Sequence, residues 1–353
     1  MPTSDRTVPE ARIFVNNTQL PVDLRADVLD IVVTQHVEGG DSFEITFNTL
    51  DSNNQRLKWN DSTLLAPGSV LEVEVGYQGN YDSLIVGEIT GLRAEYPNDD
   101  AATLVVQGFD RLHRLRRGRR TRAFYSMKDS QVAEKIAQDL QLTADVEDTS
   151  VVHRYLLQAN VSDIDFLLDR ARRIWYEVRV VDKKLFFRRA ANNLAAVATL
   201  TYQQDLMTFS ARLSSARQVS EVRVRGWNPS AKAAILGVGH AGDETTRMGG
   251  ATLGPVLAEQ AFGVQTTAVV HTPVRSQAEA EQIARARYND IALEWLTAEG
   301  EAVGTAAIRA GSTVKIQSVG KRFSGTYYVR RAEHRMSPEA GYLTFFSCVR
   351  NAS

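Results

Sequence analysis

Between residues 67 and 109, apolar and polar side chains alternate with the period of a half-buried strand: Leu71, Val73 and Val75 fall on one side, Glu72 and Glu74 on the other. The same order of parts returns over residues 310–349, where Val314 and Ile316 face one way and Lys315 the other. Each stretch opens on a Gly-Ser turn, Gly68-Ser69 and Gly311-Ser312. Each then passes a polar, proline-containing tip, at 96–101 and 336–341, and returns along a final strand. Agreement in turn position and length predicts a diverged internal duplication, each copy an antiparallel meander. Strands with one apolar face must close on themselves or on a partner sheet, so each copy is expected to form a small β-barrel or sandwich.

The rest of the chain fills in around these copies. Residues 12–20 read as a hairpin turning at Asn16-Asn17, and 28–37 and 43–47 as two more strands. Beyond residue 110 the period changes. Val132, Ala133, Ile136, Ala137 and Leu140 recur at helical spacing behind an N-cap expected at Asp129 or Ser130. Ser162 and Asp165 have capping-box spacing before the stripe Ile164, Leu167, Leu168 and Ala171. Trp175, Tyr176, Val178 and Val180 then alternate as a strand that turns at 182–184 into 185–187. Ser276 and Glu279 cap a third helix with the stripe Ala280, Ile283, Ala284, Ile291 and Trp295, while the glycine-rich residues 237–254 read as a mobile connection.

The expected fold is α+β and mainly β: two similar small antiparallel β-barrels flanking a middle α+β region with three amphipathic helices. The expected domains are a first barrel over residues 1–110, a middle domain over 111–205 plus about 237–300, and a second barrel over 206–236, including a strand at 219–224, plus 301–353.

Composition narrows the classes. A chain of 353 residues with 43% hydrophobic residues is folded and large enough for two or three domains. Its net charge of -1 does not draw it to nucleic acid or an anionic membrane. A lone cysteine, Cys348, excludes an intramolecular disulfide framework and suggests a reducing compartment. No apolar run has the length to cross a bilayer, so synthesis in the cytoplasm is expected.

Candidate chemistry is sparse. Gly237, Gly239 and Gly242 spell GxGxxG, yet the following DETTRMGG has no helical period to aim at a pyrophosphate, so a flexible loop is expected. The histidines His36, His113, His153, His240, His271 and His334 include no i, i+4 pair, and no metal or cofactor is assigned. Asp163 and Asp165 read as helix-start residues, Asp99 and Asp100 as a hairpin tip, and Cys348 as a strand interior; no catalytic residue is assigned. The strongest local signal is the run of seven arginines at 111, 114, 116, 117, 119, 120 and 122. Guanidinium forks bind oxyanions, so Arg116, Arg117, Arg119 and Arg120 are candidates for docking an acidic partner. Nucleic-acid contact and charge pairing within the fold stand as alternatives.

Several stretches in their order resemble a known family. They are QGFDRLHRL at 107–115, DSQVAEKIAQDLQL at 129–142, YLLQANVSDIDFLLDRARRIWYEV at 155–178, VSEVRVRGWNP at 219–229 and GTYYVRRAEHRMSPEAGYLTFF at 325–346. Together they resemble the baseplate hub proteins of contractile phage tails and injection systems: late control protein D and the hub region of VgrG-type proteins. The resemblance implies a non-enzymatic homotrimer whose six similar faces adapt a threefold spike to a sixfold tail tube around a channel. It further implies a separate spike protein, since the chain stops after the second meander, and other baseplate components as partners. Nucleic acid enters only as passing cargo, and the implied location is the baseplate of a phage tail or tail-like particle. A tail-associated cell-wall hydrolase is the alternative.

Overall fold

The computed structural model describes residues 8–51, 54–98, 101–270 and 272–353; residues 1–7, Ser52, Asn53, Asp99, Asp100 and His271 lie outside them. The first meander grows from β1 (Pro9–Val15), β2 (Thr18–Gln19), β3 (Val28–His36), β4 (Ser42–Asn48), β5 (Val70–Tyr77), β6 (Asn80–Glu95) and β7 (Thr103–Asp110). Asn16 and Asn17 turn β1 into β2 with φ of 51° and 64°, the left-handed region asparagine tolerates. Alternation sends Ile31, Val33, Phe43, Ile45, Leu71, Val73 and Val106 into one core. A side chain at Gly108 would start 2.2 Å from the Phe43 ring, so glycine on β7 makes room for the aromatic on β4.

The middle region follows with β8 (Arg120–Lys128), α1 (Asp129–Asp139), β9 (Thr143–Val146), β10 (Val152–Val161), α2 (Asp163–Arg172), β11 (Tyr176–Val181) and β12 (Lys184–Arg189). Val132, Ile136, Ile164, Leu167, Val178, Leu185 and Phe187 form its own core. Ser162 caps α2 as expected, accepting the Asp165 N–H at 3.2 Å. The cap of α1 differs: Lys128 takes that position, and Asp129 turns inward. There it receives Arg170 Nε at 2.6 Å and lies 3.1 Å from His153 Nε2. A buried cation claims the carboxylate that local spacing would have given to the helix start.

The second module comprises β13 (Ala198–Thr201), β14 (Leu206–Leu213) and four C-terminal strands, interrupted by an insertion. The insertion holds β15 (Glu221–Asn228), β16 (Ala233–His240), α3 (Gly254–Phe262), β17 (Thr266–Val269) and α4 (Gln277–Leu293). β18 (Leu296–Val303), β19 (Thr313–Gln317), β20 (Gly325–Ser337) and β21 (Gly341–Arg350) then complete the module.

The structure departs from expectation at three places. The strand over 219–224 pairs with β16 and β17 rather than joining the second barrel, because α4 supplies the cover for Val222 and Val224. β13 pairs with β19, so residues 198–201 sit with the second module and not the middle region. The glycine-rich stretch is built rather than a mobile connection. Side chains at Gly237 and Gly239 would start 2.2 Å and 2.4 Å from the carbonyls of Ala280 and Ala284, so these glycines let the backbone of α4 lie on β16. The same richness in glycine hid α3, whose Gly254 lies under the Trp295 ring. From its seat on β16, α4 also reaches the middle region, with Gln282 Nε2 donating to Ser150 Oγ at 2.9 Å.

The two modules repeat one another in detail. Gly68 N–H donates to the Ile89 carbonyl at 2.8 Å and Ile89 N–H to that of Ser69 at 2.9 Å; Gly311, Val329 and Ser312 make the same two bonds at 2.9 and 2.8 Å. A one-residue bulge falls at Thr90 on β6 and at Arg330 on β20. A second falls at Leu29 on β3 and Met207 on β14. The two modules are also joined edge to edge. Residues 331–336 of β20 pair antiparallel with 31–36 of β3, which joins both into one 13-stranded sheet.

Candidate docking surfaces

The arginine run divides into two classes. Glu88, buried on β6, lies 3.2 Å from Arg111 Nε, 2.5 Å from Arg114 Nη2 and 2.8 Å from His113 Nε2. Burial pushes its carboxyl up, but the hydrogen bonds of Arg114 and His113 outweigh that and hold it below its ordinary value. Arg111 also meets Asp182, which ties the first module to the β11–β12 turn. Arg122 binds Asp139 at 2.5 Å and the buried Asp163 at 2.7 Å, and Arg120 lies 3.4 Å from each of the same carboxylates. Asp163 is thus an ion-pair partner as well as the first residue of α2.

Arg116, Arg117 and Arg119 are exposed on the turn that leads into β8. Among the described residues the side chains of these three form no ion pair or hydrogen bond; the Arg117 backbone N–H donates to the Arg114 carbonyl at 3.3 Å. Of the four predicted docking residues, three are free for a partner and Arg120 is pinned by the fold. The ribbon that continues from this turn points Tyr125, Tyr155 and Leu157 outward, with the two tyrosine rings 5.5 Å apart. Cations beside exposed aromatics suit a partner that offers carboxylates and apolar side chains together. The sequence reading missed this aromatic strip; the alternation of Tyr125 with Phe124 and of Tyr155 with Leu156 was the available signal.

A second surface is the outer face of the shared sheet. Glu299 and Glu301 of β18, Phe345 of β21 and Arg331, Glu333 and Arg335 of β20 line one shallow cleft on it. Glu333 receives Arg335 Nε at 2.5 Å and also pairs with Arg331, and the Arg335 guanidinium lies 5.3 Å from the Phe345 ring centre. On the first module, Gln107 Nε2 donates to Glu44 at 3.1 Å. The face is charged but mixed in sign, which suits a solvated wall better than a site for one ion.

Where the modules meet the middle region lies a set of enclosed charges. Asp110 accepts the N–H groups of Asp41 and Leu112, each at 3.0 Å, and burial raises its carboxyl well above the ordinary value. Arg179 lies 3.6 Å from Asp41 and donates to the Ala310 carbonyl at 2.6 Å, while Arg309 donates to the Ser83 carbonyl at 2.6 Å. These bonds fasten one module to the other and present no carboxylate pair to a cleft. Among the described residues no group of three His, Cys, Asp or Glu side chains could hold a metal, and no helix is long and apolar enough to cross a membrane. Cys348 is buried in β21, where burial raises its thiol.

The model of the family described as the Alg8 N-terminal domain matches residues 5–338. No curated protein matches the sequence. Among solved structures, the 43 kDa tail protein of prophage MuSo2 from Shewanella oneidensis has a TM-score of 0.70 at 13% identity, covering 97% of this chain and 98% of that one. The tail protein from Neisseria meningitidis MC58 has a TM-score of 0.70 at 14% identity, covering 97% of each chain. The E. coli c3393 protein, described as a component of the type VI secretion system similar in structure to the T4 bacteriophage tail proteins gp27 and gp5, has a TM-score of 0.61 at 12% identity. It is covered over 77% of its length and this chain over 97%. The mainly β fold, with its two modules and inserted helices, is therefore one that phage tail and type VI secretion proteins share.

Proposed function

The chain belongs to the Alg8 N-terminal domain family; from the fold it shares with phage tail proteins we propose that it is a structural component of a phage tail or injection apparatus, the hub of its baseplate. The observation that supports this most is the repetition of bulges and turn hydrogen bonds between the modules, which gives each chain two near-equivalent faces. Three copies in a ring offer six such faces, so a threefold object can seat against a sixfold tube. The outer face of the shared sheet then lines a channel, and its mixed charge lets polar cargo pass without a strong binding site. In this reading the chain divides into a first β-module, a middle unit, and a second β-module interrupted by the 214–295 insertion. Its partners are tube, spike and other baseplate proteins, and its role is not enzymatic.

Native mass spectrometry of the purified chain at high concentration, with and without the cognate tube and spike proteins, tests the proposal. A species of three copies is expected. A strict monomer under both conditions overturns the reading.

Arg116, Arg117 and Arg119 serve in this scheme as a docking point for an acidic surface of a neighbouring baseplate protein. Reversing all three charges is expected to weaken incorporation into assembled particles at least about tenfold at low salt, and raising the salt should narrow the difference. The folded chain should keep its thermal midpoint, because these side chains have no partner of their own. Substituting Arg120 alone should instead lower that midpoint slightly.

A further inference from the structure

The insertion carries its own three-stranded sheet, in the order β16-β15-β17, with α4 on one face and two outer edges. The two edges are treated differently. On β16 the side chain of Gln277, from α4, reaches across the rim: its Oε1 accepts the Leu236 N–H at 3.4 Å and its Nε2 donates to the Leu236 carbonyl at 2.7 Å. The middle of that edge is thereby closed to an incoming strand. β17 has no such cover. The Gln265 carbonyl accepts the Ser220 and Glu221 N–H groups at 2.8 and 3.4 Å, and the Gln265 N–H donates to Ser220 Oγ at 3.1 Å, so Gln265 faces β15. Backbone groups of successive strand residues point to opposite sides, which turns Thr267 and Val269 toward β15 and Thr266 and Ala268 away from it. Among the described residues nothing pairs with the backbone of Thr266 or Ala268.

The space beside this edge has room for a strand. α4 packs over β16 and β15 but stops short of β17, which leaves Val269 only partly buried. A groove therefore runs between β17 and the C-terminal half of α4, with Thr267 and Ile291 along it and Arg287 and Glu294 at its rim. The charges there are already answered, since Arg287 lies 3.2 Å from Asp290 and Arg217 lies 3.5 Å from Glu294. On the opposite face of the sheet they are not. Glu221 takes both Arg223, at 2.5 Å, and the Thr266 hydroxyl, at 2.9 Å. Arg225, exposed opposite Leu236 on β16, makes no ion pair among the described residues, and the register of β15 with β17 places Val270 beside it.

We propose that β17 is a docking edge for an extended segment of a different protein, which joins the insertion sheet as a fourth strand. Main-chain bonds to Thr266 and Ala268 hold the segment, and its alternate side chains decide which segment fits. Those on one side are small and apolar and lie over Thr267, Val269 and Ile291. Those on the other are carboxylates within reach of Arg225, the cation the fold leaves unanswered. The proposal stands apart from the hub reading, because it needs only this sheet and its uncovered edge.

Short end-blocked peptides added to the intact chain test this, one alternating valine with glutamate and one alternating valine with lysine. At about 1 mM the glutamate peptide is expected to slow hydrogen exchange over residues 264–270 and not over 233–240, and the lysine peptide to bind at least about tenfold more weakly. Methylating alternate backbone nitrogens of the glutamate peptide should abolish binding in one phase and spare it in the other, since only one set of N–H groups can face β17. Arg225→Glu, at an exposed position without a partner, should reverse the preference between the two peptides. No slowing over 264–270, equal slowing over 233–240, or equal binding by both methylated phases overturns the docking edge. An unchanged preference in the Arg225→Glu chain overturns the carboxylate assignment.

Discussion

Replacing Arg170 with alanine is expected to cost about 3–5 kcal/mol of stability, the loss seen when one partner of a buried ion pair is removed and the other charge stays behind. The cause lies in Asp129, only 2% exposed, whose carboxylate depends on Arg170 at 2.6 and 3.1 Å and on His153 at 3.1 Å. Burial pushes the Asp129 carboxyl up, but the bonds from His153 and Arg170 prevail and hold it below its ordinary value of 3.8. The stabilisation is therefore complete above that value and is lost as pH falls through the lower, folded value. In the alanine variant the carboxylate can relieve its isolation by taking up a proton, so the penalty should shrink as pH falls below about 5. Urea unfolding of both chains at pH 7 and pH 4 measures this, and a penalty that is small or independent of pH would contradict the assigned role.

Gly237→Ala is expected to be nearly as damaging, at about 3 kcal/mol, the upper end of what overpacking costs. The added methyl would start 2.2 Å from the Ala280 carbonyl and 2.5 Å from the Glu281 nitrogen, and neither can swing aside as a side chain would. Helix and sheet must separate along their length. Gly242→Ala, at φ +106° with nothing within 4 Å, should lose only about 1 kcal/mol to backbone strain. Hydrogen exchange would locate the difference, with faster exchange in Ala233–His240 and Gln277–Leu293 for the first variant and no such spread for the second. Equal effects would mean that the glycines serve a loop and not a packing contact.

The sequence was informative where a feature was local and periodic. The Asn16-Asn17 turn, the Ser162 and Ser276 caps and the alternation of Leu71 with Glu72 each state their own conformation, and the structure places them as expected. Partnership was much less legible. Val222 and Val224 announce a strand with one buried face but not that α4 would cover it, so the strand was placed in the wrong sheet. Asp129 sits at a helix start, and only the distant Arg170 explains why it points inward. Of the arginines, the run itself was plain, but which of its members were already engaged depended on Glu88, Asp139 and Asp163, all remote in the chain.

The unequal links between equivalent strands have a consequence in time. In the first module β3 returns through five residues to β4, whereas in the second β14 waits for the whole of residues 214–295 before β18 arrives. Closing the longer loop costs more entropy, and in this module every strand after β14 lies beyond that loop. A nascent chain would thus complete its first half early and leave β3 uncovered until residues 325–337 have emerged. Joining of the halves waits on those residues, and the free rim of the early half is what a chaperone or a premature neighbour would meet first.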